Sequence, residues 1–289
     1  MTHRLSPARE VAPTGGASRH QRVDGAARIV FAVRGQRTAL ADLYQRAPCR
    51  VLFPDVDPGE PLQVVLLTTS GGLTGGDRIA VSVAVGAGAT ATVTTQAAEK
   101  LYRALPLDEA TRIETRLTIG AGGCAEWLGQ EAILFDASRV RRTFEAELAA
   151  DARLLAVESL VFGRTAMGER FASGHVHDSW RIRRAGRLIW ADALRLDGSG
   201  QAALPFGFGD ALATATIVYA GADAGEHIGE ARRLVGGDRG GATSFDGLLI
   251  VRLIAADAAA LRRGVVRIAA GLRAAILNLT PRLPAVWTC

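Results

Sequence analysis

The sequence has almost no lysine, so arginine carries nearly all of its positive charge. Lys100 is the only lysine, and the formal net charge is +5. Short basic clusters occur at residues 139–142 and 181–184, but aromatic residues do not alternate with them as in a surface that stacks nucleic-acid bases. We therefore favour a solvated face or an acidic protein partner and expect no nucleic-acid binding. An anion-binding module remains an alternative, which steep salt dependence of nucleic-acid binding would reveal.

Cysteine is also scarce. Cys49, Cys124 and Cys289 lie far apart, and no Cys-x-x-Cys pair or Cys/His quartet occurs. This pattern excludes a disulfide framework, argues against a structural zinc site and fits a reducing compartment. We expect Cys49 and Cys124 to be buried and Cys289 to be exposed.

Long apolar runs are missing as well. No run reaches membrane-spanning length, and residues 1–25 contain no signal-peptide core. Composition predicts a disordered basic tail over residues 1–20. Because no Pro/Ser-rich linker follows, we predict a single β-rich domain over residues 21–289, in a cytoplasmic protein that does not contact membranes.

The chain lacks the motifs of common enzyme classes, including Gly-x-Ser-x-Gly, His-Glu-x-x-His and the dinucleotide fingerprint. Its densest short pattern is a loop that contains Gly71, Gly72, Gly75, Gly76, Asp77 and Arg78. No Gly-Lys-Ser/Thr ends this loop. The residues after it alternate like a strand, whereas a phosphate loop opens a helix. We predict a glycine-rich connection between two strands.

An internal repeat indicates the fold. Three segments each contain an alternating strand, a turn of small residues and a second strand, and Val85, Ile119 and Leu148 recur about thirty residues apart. Each unit exposes an apolar face that only its neighbours can cover, so we predict a mainly β fold in which stacked repeats form layered, helix-like sheets. A fourth, weaker strand pair covers residues 180–192.

The pattern changes after residue 209. Residues 224–235 are predicted to be helical, and residues 247–254 form a buried strand. Asp257 can cap a helix whose apolar stripe runs from Leu261 to Leu279 and which Pro281 ends. These elements predict a small α/β C-terminal part with a helical portion at about 223–280. We expect the apolar helix to be partly exposed as a partner surface.

One histidine pair could bind a metal ion. His175 and His177 are two residues apart, so in a strand both side chains point to the same face. A metal-dependent hydrolase that uses them is an alternative function, but it needs a third ligand and an open coordination position. Two hydrogen-bonded histidines near a turn are the commoner arrangement.

Several carboxylates interrupt apolar strands, and a buried acid must be paired, protonated, hydrated or metal-bound. Glu126 and Glu158 fall in neighbouring repeats, so they could line one interior path if their strands are adjacent. Pairing with Arg103, Arg164 or Arg181 is the competing interpretation. The candidates for lining such a path, for a metal ion in passage, are Glu126, Glu131, Asp136, Glu158, Glu169 and Asp192, with His175 and His177 as further candidates.

Five stretches, taken in order, resemble the urease accessory protein family UreD, also called UreH. They cover residues 67–78, 86–103, 126–136, 158–169 and 180–182. The resemblance implies a mostly β, non-enzymatic maturation factor, or chaperone, that helps nickel insertion into apo-urease together with UreF and the GTPase UreG. No His/Cys cluster suited to tight nickel binding is evident, so we expect no stably bound cofactor and Ni²⁺ only in transit. Carboxylates suit such passage because they hold Ni²⁺ less tightly than imidazole or thiolate.

Overall fold

The computed structural model describes residues 22–198 and 207–288. About half of the chain is strand and 15% is helix, which confirms the mainly β prediction. The predicted tail over residues 1–20 and the side chain of Cys289 lie outside the described residues. Cys49 and Cys124 are buried free thiols, as expected.

In the described residues, seventeen strands form two sheets. In chain order they are β1 (Asp24–Arg34), β2 (Arg37–Arg46), β3 (Cys49–Leu52), β4 (Leu62–Thr68), β5 (Arg78–Val85), β6 (Thr90–Thr95), β7 (Glu99–Leu101), β8 (Thr111–Ile119), β9 (Cys124–Leu128), β10 (Ala132–Leu134), β11 (Arg139–Leu148), β12 (Arg153–Phe162), β13 (His175–Arg184), β14 (Arg187–Asp197), β15 (Ala213–Ala220), β16 (Gly240–Phe245) and β17 (Leu248–Ala255). Sheet A has the order β14-β13-β11-β8-β5-β1-β2. Sheet B has the order β16-β17-β15-β12-β9-β6-β4-β3, and β10 joins β12 to β7 at its side.

The repeat generates the winding of the chain between the sheets. Strands β5, β8 and β11 of sheet A continue through short turns into β6, β9 and β12 of sheet B, and the chain then returns. Val85 pairs with Ile119, and Ile119 pairs with Leu148, so the repeat spacing predicted the register. The turns need small residues because they stack closely: a Cβ at Gly120 would lie 2.7 Å from the Ala87 nitrogen. The helix-like layered prediction is therefore confirmed.

The fourth strand pair differs from the first three. Strands β13 and β14 both lie in sheet A as an antiparallel hairpin and do not cross between sheets. Ala185 (φ 49°) and Gly186 (φ 77°) form a two-residue turn of positive φ, the type that favours a tight hairpin. The longer turns of the other pairs allow the chain to change sheets.

Two helices cover the outer face of sheet B. They are α1 (Ile228–Val235), which a short 3₁₀ turn over Ala224–His227 precedes, and α2 (Ala258–Leu277). The Asp257 side chain caps α2 by accepting a hydrogen bond from the Ala260 nitrogen at 2.7 Å, as predicted. The helix ends at Leu277 and not at Leu279, because Asn278 adopts the left-handed conformation (φ 53°).

The apolar stripe of α2 is buried. Leu261, Val265, Ile268 and Leu272 pack with outward-facing residues of sheet B in a second apolar cluster, separate from the one between the sheets. The expectation that this stripe is partly exposed to a partner is therefore wrong, since sheet B is the surface that it covers. The β12, β15, β16 and β17 part of sheet B is thus covered on both faces, whereas the outer face of sheet A is open to solvent.

Candidate functional site

A cavity of about 380 Å³ lies between the two sheets. It exists because small residues occupy a layer where large side chains would otherwise meet; among them are Gly71, Gly72, Ala97, Ala98, Gly129 and Ala132. Its lining runs from exposed residues such as Gly71 and Gln96 to buried ones such as Trp127. The cavity therefore connects the surface beside the glycine-rich loop with the centre of the sandwich.

The glycine-rich loop forms part of the cavity wall. Gly72 has φ +149°, and a Cβ there would lie 2.4 Å from Cε2 of Tyr102. The Tyr102 hydroxyl donates a hydrogen bond to the Gly71 carbonyl at 2.8 Å. Glycine at position 72 therefore permits the aromatic ring to close over the loop.

The rest of the loop is structural. The buried Asp77 carboxylate accepts hydrogen bonds from the backbone nitrogens of Val23 and Thr74, each at 2.8 Å. Gly75 leaves no room for a side chain, and Arg78 begins β5 on the exposed face of sheet A. Gly76 has φ +85° beside Arg22. The loop joins β4 to β5, so the predicted strand connection is confirmed.

A charged cluster occupies the deep end of the cavity. Arg142 of sheet A and Glu158 of sheet B both line it, as does Glu99 of β7. Arg142 donates to Asp178 through Nε (3.0 Å to Oδ1) and Nη2 (2.6 Å to Oδ2), and Nη2 lies 3.3 Å from Oε2 of Glu158. Three carboxylates thus share one guanidinium in an interior that is otherwise mostly apolar.

The electrostatics of the cluster favour a protonated Glu158. Burial raises the pKa of Glu158 to about 8; Arg142 opposes this rise, and the negative charge of Asp178 adds to it. Burial also raises the pKa of Glu99 against the attraction of Arg142. Burial acts to lower the pKa of Arg142, but the nearby carboxylates outweigh it and raise that pKa, so the guanidinium stays charged.

Two polar atoms at the cavity have no hydrogen-bond partner in the protein. They are Oε2 of Glu158, whose contact with Arg142 does not have hydrogen-bond geometry, and Nε1 of Trp127. Buried polar atoms are usually satisfied by protein or by water. The site therefore has room and unsatisfied polar atoms for a small polar guest such as water.

Glu126 is separated from this cavity. Its strand β9 does pair with β12, but Glu126 aligns with Leu155, three residues from Glu158, so the two carboxylates project from opposite faces of sheet B. Glu126 is fully buried and binds Arg273 of α2 (2.7 Å) and the hydroxyl of Thr92 (2.5 Å). Glu126 and Glu158 therefore do not line one path.

The other predicted acids lie in separate polar contacts. Glu169 pairs with Arg164 and accepts from the Asp136 nitrogen at 3.0 Å. Asp136 accepts from the nitrogens of Ala172 (2.9 Å) and Ser173 (2.8 Å), which organise the loop before β13. These contacts tie two loops together and do not reach the cavity.

Two further acids pair with distant arginines. Glu131 binds Arg262 of α2 (2.8 Å), and Asp192 binds Arg252 of β17 (2.7 Å). Most of the candidate acids therefore form an ion pair with an arginine, but Arg164 is the only partner that was predicted from the sequence. Neither Arg103 nor Arg181 forms an ion pair with these acids within the described part of the chain.

The side chains of His175 and His177 project from the outer face of sheet A, on the side away from the cavity. His175 is largely exposed, and its Nδ1 lies 2.6 Å from Oδ1 of Asp197. Residues 22–198 and 207–288 contain no group of three or more His, Cys, Asp or Glu side chains that could hold a metal ion. The hydrolase alternative therefore gains no third ligand from the described structure.

Sequence reasoning overlooked Glu99 and Arg142. Arg142 lies between Val140 and Phe144, both buried core residues, so strand alternation alone places it in the interior. Glu99 lies within one of the five family-like stretches, but β7 is only three residues long and gives no periodic signal. The position of Arg142 was therefore readable from the sequence, and that of Glu99 was not.

These features define a class of mainly β sandwich with a charged cavity between its sheets. The model of the family described as UreD urease accessory protein matches residues 23–288, and the chain belongs to this family. It is 42% identical over 273 residues to the urease accessory protein UreD of Rhizobium leguminosarum bv. trifolii, covering 93% of this chain and 97% of that protein. The Methylobacterium sp. protein of the same name is 41% identical over 285 residues, covering 95% and 98% of the two chains. That of Brucella suis is 39% identical over 274 residues, covering 93% and 95%.

In the described part of the chain, no helix combines the length and the apolar character that crossing a bilayer requires.

Proposed function

We propose that this chain is a urease maturation factor that gives Ni²⁺ a transient, carboxylate-lined route during its insertion into apo-urease. Family membership supports the role in urease maturation. The observation that carries the nickel route is the cavity itself, where Glu99 and Glu158 outnumber the guanidinium of Arg142 and an oxygen of Glu158 lacks a hydrogen-bond donor.

The charged cluster both attracts and repels Ni²⁺. Carboxylate oxygens attract Ni²⁺, and arrival of the cation favours loss of the proton from Glu158 to water, because a nearby positive charge stabilises the carboxylate. The fixed positive charge of Arg142 repels the same ion by an energy on the order of several kcal/mol at short range. Weak oxygen ligands beside a fixed cation shorten the residence of Ni²⁺, as a conduit requires.

The protein partners in this proposal are UreF, the GTPase UreG and the subunits of apo-urease, all in the cytoplasm. The chain makes or breaks no covalent bond in this role, and no cofactor stays bound. The names of its relatives as accessory proteins support a non-catalytic function. The Gly71–Arg78 loop supports it too, because it leads into a strand and lacks the helix N-terminus of a phosphate-binding loop.

Reconstitution tests the proposal. Apo-urease, UreF, UreG with GTP, and Ni²⁺ are combined with and without this chain, and urease activity and bound nickel are measured. We expect activation to depend on the chain and to fall when Glu99 and Glu158 are both replaced by glutamine. Glu226→Gln, at an exposed position of the 3₁₀ turn before α1, is the matched control and should leave activation unchanged.

Two outcomes would contradict different parts of the proposal. Activation that is equal with and without the chain would reject the maturation role. Full activation by the Glu99→Gln/Glu158→Gln variant, with the chain still required, would reject the nickel route and leave the maturation role in place.

A further inference from the structure

A row of basic residues crosses the exposed face of sheet A. Strand pairing aligns Arg78 with Arg112, Arg112 with Arg141, Arg141 with His177, and His177 with Arg195. The five residues lie on five adjacent strands. We call this set the basic row.

Repulsion within the basic row destabilises the folded sheet. Like charges directly opposite each other on neighbouring strands destabilise a sheet. Glu109 contacts the arginines at positions 78 (3.5 Å) and 112 (3.2 Å), and Asp197 contacts Arg195 (3.2 Å). Arg141, in the middle, is exposed and forms no ion pair with any residue that the structure describes. The acids thus relieve the ends of the row but not its centre.

The surrounding face is basic as well. Its outward-pointing arginines on β5, β8, β11, β13 and β14 are Arg78, Arg112, Arg116, Arg139, Arg141, Arg181, Arg183 and Arg195. The outward-pointing acids on the same strands are Glu114, Glu145, Glu147 and Asp197. The face therefore carries a net positive charge whose unpaired centre is Arg141.

We propose that the basic row docks a carboxylate-rich helix on the surface of a protein partner. Adjacent strands are about 4.8 Å apart, so the row spans about 19 Å. Carboxylates three or four residues apart on a helix are about 5–6 Å apart, and about 13 helical residues cover the same length. An acidic helix can therefore present one carboxylate to each member of the row.

The same face is poorly suited to nucleic acid. Phe144, Trp180 and Trp190 point into the core, and the five strands present no aromatic residue outward on which a base could stack. Glu114 and Glu145 lie close to Arg116 and would repel a uniform chain of phosphates. A protein can place its own cations opposite these acids, so charge complementarity favours a protein partner.

The choice of binding probes rests on the proposed function. Purified apo-urease, UreF and UreG are each titrated against the full-length chain at low and high salt by biolayer interferometry. Arg141→Glu reverses the centre of the row. Arg263→Glu makes the same charge change at an exposed position of α2 and is the matched control.

We expect at least one of the three proteins to bind more weakly at high salt, and Arg141→Glu to weaken that binding about tenfold or more while Arg263→Glu leaves it within about twofold. The carboxylate that Arg141→Glu introduces would lie between Arg112 and His177, so the variant should fold at least as stably as the wild type. A stable variant that binds poorly distinguishes docking from a structural role.

Unchanged binding by Arg141→Glu would overturn the proposal, as would retention on duplex DNA at a salt concentration at which no protein binds. If the reconstitution shows that urease activation does not need the chain, the proposed function fails separately. The row is then tested with a synthetic helix that carries glutamate at every fourth position. Binding that Arg141→Glu abolishes would support the inference, and no binding by the wild type would reject it.

Discussion

Glu126 and Glu158 lie on adjacent strands of sheet B, yet one carboxylate faces α2 and the other faces the cavity. The first is paired with Arg273, and the second keeps an oxygen without a hydrogen-bond partner. Sheet B therefore separates a structural acid from an acid that is available for a ligand.

Glu158 should make stability depend on pH. Its folded-state pKa, about 8, is above its ordinary value of 4.5, so the folded protein binds the extra proton between these values. Its contribution to stability is fully present below pH 4.5 and is lost as the pH rises through 8. The Glu158→Gln variant should keep its free energy of unfolding over this pH range, whereas the wild type loses on the order of a few kcal/mol. Urea unfolding at a series of pH values measures it, and parallel curves for wild type and variant would refute the prediction.

Arg142→Gln should destabilise the protein by roughly 3–5 kcal/mol, because it leaves Asp178 buried without its bidentate partner. Adding Asp178→Asn should recover part of this loss, since the uncompensated charge is then removed. Arg116→Gln, on the exposed face, should change the free energy of unfolding by less than about 1 kcal/mol. Equilibrium unfolding in urea compares the variants. If Arg142→Gln and Arg116→Gln changed the free energy of unfolding equally, Arg142 would not act as a buried ion-pair partner.

Arg142→Gln should also increase the residence time of Ni²⁺ in the cavity. Without the fixed positive charge, Ni²⁺ meets Glu99 and Glu158 with less repulsion, and its affinity should rise about tenfold or more. Loss of Arg142 also removes a charge that lowers the pKa of Glu158. The two proteins are therefore compared by calorimetric titration with Ni²⁺ at a series of pH values from pH 8 upward. Weaker nickel binding by a folded variant would speak against the cavity as the nickel route.

Arg273→Met should cost roughly 3–5 kcal/mol, since Glu126 is fully buried and would lose its charged partner. Arg273 also binds Glu60 at 2.5 Å, so the helix would lose its link to the loop before β4. Arg263→Met on the exposed side of α2 is the control and should stay within about 0.5 kcal/mol of wild type. The two variants are compared by thermal and urea unfolding. A near-neutral Arg273→Met would contradict the role of Arg273 as the buried ion-pair partner of Glu126.

Gly72→Ala should destabilise the cavity wall by about 2 kcal/mol or more, because the new methyl group would overlap the ring of Tyr102 at a positive φ. Gly71→Ala is the matched control: its φ is +73°, but no atom lies within 4 Å of the added Cβ, so only the backbone strain of about 1 kcal/mol remains. Urea unfolding ranks the two variants, and the reverse order would contradict the proposed packing.

The repeat made most of the sandwich predictable. Small residues at the turns and the recurrence of Val85, Ile119 and Leu148 indicate both the stacking and its register. The pairing partners of the acids were not predictable in the same way. Arg273 is 147 residues from Glu126 in sequence, and only the packing of α2 on sheet B brings the two together.

The sheet face on which an acid lies also depends on the exact register of its strand. A shift of one residue in register moves every side chain of a strand to the other face. Knowing that β9 and β12 are neighbours was therefore not enough to place Glu126 and Glu158 on the same side. Arg142 shows the reverse case, since its buried neighbours Val140 and Phe144 fix its direction from the sequence alone.

The winding of the chain between the sheets has a consequence for biosynthesis. The residues around the cavity come from positions 49 to 158, so no early segment encloses it by itself. On a ribosome, Cys49 and the glycine-rich loop emerge long before Glu158 arrives to complete the far wall. The cavity is therefore complete only after β12 has joined the sheet.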